Sequence, residues 1–174
     1  MTRVVLSIGS NLGDRLGWLQ SAVNTLGEVI AVSPVYETDP WGGVEQGPFL
    51  NAVLIAEDPA CDEHDWLRRA QAAEDAAGRV RDERWGPRTL DVDLITCHRT
   101  EPGGAAEIIA SGADLTLPHP RADQRAFVMV PWLAVDPDAE LTLADGPRSV
   151  AELLAELDPA EREGVRLYPQ ALGS

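Results

Sequence analysis

A run of charged and aromatic residues, RWGPRTLDVDL at positions 84–94, has the composition expected of a site for a charged ligand. Asp91 and Asp93 are separated by one residue within a stretch of β-forming side chains. Successive side chains of a strand point to opposite faces, so both carboxylates would share a face and repel each other without a cation. Such hard oxygen ligands suit Mg²⁺ whose shell is completed by substrate phosphates. A solvated strand face is the simpler explanation of an isolated aspartate pair.

Several arginines lie just before this aspartate pair. Planar guanidinium groups bind phosphate oxygens through paired hydrogen bonds, so the cluster favours a specific anionic ligand. Ion pairing with Asp75, Asp82 and Glu83 is the alternative, and it explains one or two arginines better than a whole cluster beside Trp85. The arginines are Arg79, Arg81, Arg84 and Arg88.

The composition of the chain limits the classes of function. Its formal net charge is −15, which argues against general affinity for nucleic acid or an anionic membrane surface. No apolar run approaches the ~20 residues that cross a bilayer, and the N-terminus lacks a secretory signal, so a cytoplasmic protein is expected. Cys61 and Cys97 are not spaced for zinc and are expected to be buried hydrophobes. The length of 174 residues predicts one domain, 1–174.

Hydrophobic periodicity predicts the element order β, α, β, β, α, β, followed by further elements. This order indicates an α+β fold, a loosely ferredoxin-like sandwich with one mainly antiparallel sheet and helices packed on it. We predict an exposed excursion with one short strand at 98–120, a helix broken near Pro131, a helix capped by Ser149 and Glu152, and a polar tail after Asp158. The first six elements are predicted at 3–9, 14–26, 28–38, 49–57, 62–77 and 89–97.

The segment GRVRDERWGPRTLDVDL resembles the signature of the 6-hydroxymethyl-7,8-dihydropterin pyrophosphokinases. SIGSNLGDR, SPVYETDP, FLNAV, LTLPHP and QRAFV follow the order of the same family along nearly the whole chain. The resemblance implies an enzyme of folate biosynthesis that moves the diphosphoryl group of ATP to the hydroxymethyl oxygen of the pterin and releases AMP. Its expected partners are these two small molecules alone, and the chain is expected to be a monomer.

The resemblance also implies the nucleotide and metal ligands. Asp91 and Asp93 would bind two Mg²⁺ ions on the ATP phosphates. Arg81, Arg88 and Asp93 would be the catalytic residues. A solvated helix face is the alternative for Gln71 and Glu74. The implied ATP ligands are Gln71, Glu74, Arg81, Arg84, Trp85, Arg88, Thr116, His119 and Arg125.

For the pterin, the resemblance places Phe49 and Phe127 on either side of the flat ring, with Asn51 at its polar edge. Aromatic faces stack on a flat heterocycle, and an amide matches its donors and acceptors. The alternative is that these phenylalanines, the only two in the chain, are core aromatics. The remaining implied pterin ligands are Thr38, Asp39, Trp41 and Trp85.

Two other functions could use a similar site. A metal-dependent phosphohydrolase or nucleotidyl transferase would turn over ATP without a pterin. A nucleotide-binding regulatory domain would bind ATP without consuming it. The sequence also departs from many relatives at Asp82 and Glu83, where further basic residues are common, and in the longer segment 98–114.

Overall fold

The computed structural model describes residues 1–39, 47–78 and 89–173. The strands are β1 (Thr2–Ser10), β2 (Val29–Val32), β3 (Tyr36–Thr38), β4 (Phe49–Asp58), β5 (Asp91–Glu101), β6 (Gly104–Glu107), β7 (Ala110–Ser111), β8 (Thr116–Leu117), β9 (Glu140–Leu143), β10 (Gly146–Ser149) and β11 (Val165–Leu167). The helices are α1 (Arg15–Leu26), α2 (Glu63–Ala76), α3 (Ala126–Val135), α4 (Val150–Glu156) and α5 (Pro159–Glu163), with a 3-10 turn at Ala122–Gln124. The predicted order of the first six elements is confirmed, with the interrupted strand divided into β2 and β3 around Pro34.

The main sheet is built around β1, which pairs with β4 on one side and β5 on the other. Its strand order is β11-β3-β4-β1-β5-β6, and β2 also pairs with β4. All the described pairings are antiparallel, so the prediction of an α+β fold with a mainly antiparallel sheet is confirmed.

Both faces of the sheet are covered, because side chains alternate along the long strands. Leu6 and Ile8 belong to a core that includes buried residues of α1 and α2. Val5, Val53 and Ile55 belong to a second core with α3 and α4. The strand alternation that places side chains on opposite faces therefore produces a layer of helices on each side.

The helix ends follow from local sequence. Asp14 caps α1 by accepting from Gly17 N, and Gly27 follows the helix with a positive φ of 65° that glycine adopts without strain. Asp62 and Asp65 form a reciprocal capping box at the start of α2. Ser149 caps α4 by accepting from Glu152 N, which is one half of the predicted pairing of these two residues.

Cys61 and Cys97 are both buried and free, as predicted. Burial raises the pKa of the Cys97 thiol to about 12, so this sulfur is protonated at neutral pH and unsuited to nucleophilic chemistry. None of the helices in the described ranges has the length and apolar character needed to span a bilayer.

Two predictions about the second half of the chain were wrong. The segment 98–120 contains more than one short strand, because β5 continues to Glu101 and turns through Gly103 and Gly104 into β6. The helix is not broken at Pro131, since the buried side chains of α3 stabilise it although proline removes one backbone hydrogen bond. The tail from Asp158, for which the sequence predicted no element, forms α5 and supplies β11 to the sheet.

The dependence of stability on the core can be tested with matched leucine substitutions. Leu54 is fully buried in β4, whereas Leu167 on β11 is 67% exposed. Leu54→Ala should lower the free energy of unfolding by ~3 kcal/mol, and Leu167→Ala by less than ~0.5 kcal/mol. Chemical denaturation measures both values, and equal losses would contradict this assignment of the core.

Candidate functional site

The strand register brings the two halves of the predicted site together on one sheet face. Gly9 of β1 lies opposite Asn51 of β4 and also opposite Asp91 of β5. Residues directly opposite each other in antiparallel strands point to the same face, so Asn51 and Asp91 lie on either side of Gly9. Two strand spacings put their backbones about 10 Å apart. We call this alignment of Asn51, Gly9 and Asp91 the cross-strand row.

Gly9 is the residue that makes this row possible. A Cβ atom at position 9 would lie 2.5 Å from Asn51 Nδ2. The Asn51 side chain is buried, and its Oδ1 accepts a hydrogen bond of 2.6 Å from the hydroxyl of Thr38. With its oxygen engaged in this way, the amide group of Asn51 is fixed in orientation, and its Nδ2 fills the space that a side chain at position 9 would need.

Asp91 and Asp93 share a partly exposed face of β5, as predicted, while Val92 between them is buried. Arg125 Nη1 lies 3.8 Å from Asp93 Oδ2. Burial lowers the pKa of Arg125, and the charge of Asp93 opposes that shift. The carboxylates therefore face a buried cation at the N-terminus of α3.

These carboxylates fit Mg²⁺ only together with a ligand that supplies further oxygens. Among the residues in the described ranges, no group of three or more His, Cys, Asp or Glu side chains could hold a metal ion. Mg²⁺ is commonly bound through one or two carboxylates plus substrate phosphates, and a strand-borne aspartate pair provides that half of the shell.

Glu74 reaches the backbone of the same strand from α2. It is 5% exposed, and its Oε2 accepts a hydrogen bond of 2.9 Å from Val92 N. The alternative of a solvated helix face is therefore wrong for Glu74, whereas Gln71 on the same helix is exposed. The contact fixes the backbone between Asp91 and Asp93.

His119 is held as a neutral hydrogen-bond donor. Its Nδ1 accepts from Arg121 N at 3.1 Å, so the proton of the neutral ring lies on Nε2. Burial, together with the charges of Arg125 and Arg121, lowers the pKa of His119 to about 4. The ring can therefore donate to a ligand at neutral pH without carrying a charge.

Phe49 and Phe127 are both partly exposed, and Phe127 also packs against the second core. Phe49 is at the start of β4, two residues before Asn51 on the same face. Phe127 is in the first turn of α3, with its ring centroid 5.4 Å from the guanidinium carbon of Arg125. Pro131 has no N–H, so it cannot donate to the carbonyl of Phe127 four residues earlier.

The other predicted ligands are distributed around this face. Thr38 lies opposite Phe49 across β3 and β4, and Asp39 follows it at the surface. Thr116 is exposed on β8, shortly before His119. Some predicted site residues lie outside the described residues: Trp41, Arg81, Arg84, Trp85 and Arg88.

Sequence reasoning missed Gly9 and the backbone role of Glu74. A glycine inside a β-rich run often marks a close approach by another group, and this signal was present in SIGSN. The contact from Glu74 to Val92 has no local signal, since it depends on how α2 packs against β5.

The family model for 7,8-dihydro-6-hydroxymethylpterin-pyrophosphokinase (HPPK) matches residues 5–137. A protein of Mycobacterium tuberculosis named 2-amino-4-hydroxy-6-hydroxymethyldihydropteridine pyrophosphokinase is 64% identical over 170 residues, covering 97% of this chain and 90% of its own. Proteins of the same name from Mycobacterium leprae and Methylorubrum extorquens are 67% and 39% identical over 170 residues. These matches cover 96% and 95% of this chain, and 89% and 99% of the respective relatives.

Solved structures support the same fold. The HPPK-DHPS protein of Plasmodium falciparum, crystallised with STZ-DHP, superposes with a TM-score of 0.63 at 12% identity. The match covers 89% of this chain and 43% of that longer chain.

The protonation state of His119 can be measured directly. Its imidazole should show no titration above about pH 5 in a nuclear magnetic resonance pH series, because its pKa is lowered to about 4. The unfolded chain binds this proton near the ordinary value, so the stability due to His119 is complete above about pH 6.5 and falls as the pH decreases toward 4. A midpoint near 6.5 for His119 would contradict the assignment.

Proposed function

This chain belongs to the 7,8-dihydro-6-hydroxymethylpterin-pyrophosphokinase family, and on that premise we propose how its residues carry out the family's reaction. The hydroxymethyl oxygen of the pterin attacks the β-phosphorus of ATP. The bond from this phosphorus to the oxygen it shares with the α-phosphate breaks, and that oxygen leaves with AMP. The hydroxyl proton is released, and the pterin diphosphate is the second product.

The cross-strand row is the observation that carries this proposal. It sets an oriented amide, Asn51, packed against the backbone of Gly9, and a carboxylate, Asp91, on the same face of the sheet. A flat heterocycle bound by Asn51 would extend its substituent toward the carboxylates. Phosphates assembled there would lie next to the acceptor oxygen, and such positioning is a main source of rate in phosphoryl transfer.

Asn51 and the phenylalanines form the proposed pterin site. Asn51 gives the polar edge of the ring an amide whose orientation is set by Thr38. Phe49 and Phe127 are partly exposed and available for stacking on the ring faces. Asp39, Trp41 and Trp85 complete the proposed set by their match to the family motif.

The proposed ATP site lies around Asp93 and Arg125. A triphosphate beside two carboxylates is repelled unless cations intervene, and Arg125 alone does not balance that charge. Two Mg²⁺ ions held by Asp91 and Asp93 would neutralise the phosphate oxygens. The neutral ring of His119 would donate a hydrogen bond to the nucleotide. The other proposed ATP ligands are Gln71, Glu74, Arg81, Arg84, Trp85, Arg88 and Thr116.

The proposed catalytic residues are Arg81, Arg88 and Asp93, because the motif that contains them resembles the family signature. Guanidinium groups aimed at the transferring group would stabilise the charge that develops on it. We also propose that the protein acts as a monomer in the cytoplasm. Its buried free cysteines are typical of a reducing compartment.

The products of the reaction provide the test of this function. The protein with ATP, Mg²⁺ and the hydroxymethyl pterin should form AMP and the pterin diphosphate in equal amounts. Chromatography of the nucleotides distinguishes AMP from ADP, and the control omits the pterin. ADP as the main product would indicate an ordinary kinase, whereas ATP turnover without pterin would favour a phosphohydrolase. Binding of ATP without turnover would favour a regulatory domain.

Gly9→Ala tests the orientation of Asn51. The added methyl group would displace the Asn51 amide, so the KM for the pterin should rise about three- to tenfold, as expected for the loss of a hydrogen bond. The KM for ATP should stay within about twofold, since the close contact of the added methyl group is with Asn51, which is not a proposed ATP ligand. The control is Gly112→Ala, where a Cβ would make only ordinary contacts of 3.5 Å. An unchanged KM for the pterin would contradict the assigned role of Asn51.

A further inference from the structure

The C-terminal strand lies beside the proposed pterin site although it is outside the matched range 5–137. β11 pairs antiparallel with β3, so that Val165 lies opposite Thr38 and Leu167 opposite Tyr36. On its other side β3 pairs with β4, the strand that carries Phe49 and Asn51. Without β11, the three-residue strand β3 would be an edge of the sheet with pairing on one side only.

Backbone hydrogen bonds extend this pairing beyond both ends of β3. Asp39 N donates to Gly164 O at 2.9 Å, and Tyr168 N donates to Val35 O at 2.9 Å. The segment that contains Thr38 is therefore held along its whole length by residues 164–168.

The chain after β11 is also attached to α1. Gln20 Nε2 donates to Gly173 O at 2.9 Å, and Gly173 N donates to Gln20 Oε1 at 2.8 Å. The guanidinium carbon of Arg15 lies 5.9 Å from the ring centroid of Tyr168. These contacts fix the C-terminal segment against the body of the protein.

Alternating charges connect β11 to residues on both sides of positions 40–46, which lie outside the described residues. Arg15 Nη1 donates to Pro48 O at 3.0 Å and to Glu37 Oε2 at 3.1 Å. Arg166 Nη2 lies 3.9 Å from Glu37 Oε1 and donates to Asp39 Oδ1 at 3.2 Å. We call Arg15, Glu37, Arg166 and Asp39 the charge chain.

Because Arg166 and Asp39 are exposed, a substitution of Arg166 can change the site without a large change in stability. Arg166 is 49% exposed and Asp39 is 63% exposed. Exposed ion pairs typically contribute less than ~1 kcal/mol, so loss of one should leave the fold intact. The same loss can still alter binding, because β3 is short and supports Thr38, whose hydroxyl orients Asn51.

We infer that β11 and the charge chain set the position of the pterin-binding edge, with Arg166 as a positioning residue for Asp39 and Thr38. This inference rests on the proposed function, because it assigns these residues to the pterin half of that site. Arg166 contacts no proposed ATP ligand among the described residues, so its influence should be specific to the pterin.

Steady-state kinetics on the full chain tests this inference. Arg166→Ala should raise the KM for the pterin about fivefold, while kcat, the KM for ATP and the melting temperature stay close to wild type. Arg166→Lys keeps the charge and should recover part of the loss. Arg148→Ala is the matched control, because it also removes an arginine paired with glutamates but lies on β10. It should leave both KM values unchanged.

A double-mutant cycle strengthens the test. Glu37→Gln combined with Arg166→Ala should raise the KM for the pterin less than the product of the two single effects, because both residues belong to one charge chain. If the wild type is active and Arg166→Ala leaves the KM for the pterin unchanged, this inference is wrong and the proposed function is unaffected. Equal increases in both KM values with a lower melting temperature would overturn it as well. A wild type that forms no AMP would overturn the proposed function and this inference together.

Discussion

The close packing of Asn51 against the backbone of Gly9 is the constraint on which the proposed site depends. β1 is the shared neighbour of β4 and β5, so its register alone decides which residues of those strands face each other. A Cβ atom at position 9 would lie 2.5 Å from Asn51 Nδ2 and would displace the amide. A one-residue slip of either neighbouring strand would turn its ligands to the opposite face, toward α1 and α2. The buried cores on both faces make such a slip unfavourable, so core packing also fixes the positions of the proposed ligands.

The two ends of the cross-strand row differ in the charges of the groups around them. On the proposed pterin side, Thr38 and Asn51 are neutral and share a hydrogen bond, whereas the charges of Asp39 and Arg166 are exposed. On the phosphate side, Asp91 and Asp93 face Arg125, and His119 stays uncharged. Opposite charges in one small region suit a ligand that itself combines metal ions with phosphates. The net charge of −15 gives the surface no general attraction for anions, so the proposed recognition of a nucleotide would depend on local cations such as Arg125.

The sequence predicted those structural features, such as helix starts and strand faces, that depend on residues close together along the chain. Asp14, Asp62 and Ser149 marked helix starts, and alternation placed Asp91 and Asp93 on one face. Contacts between distant segments had no comparable signal. The three residues of β11 are too few for a periodic pattern, and only pairing with β3 makes them a strand. The hydrogen bond from Val92 N to Glu74 could not be predicted, because the two residues are 18 positions apart along the chain.

The central claim is that Asp91 and Asp93 bind metal ions together with the nucleotide. Titration with Mn²⁺, followed by electron paramagnetic resonance, counts bound ions in the presence of an ATP analogue with a methylene bridge between the α- and β-phosphates. The wild type should bind two ions per chain, and Asp93→Asn should weaken binding about tenfold or more. Asp75→Asn, at an exposed position on α2, is the matched control and should bind like the wild type. Equal Mn²⁺ binding by the wild type and Asp93→Asn would contradict the claim.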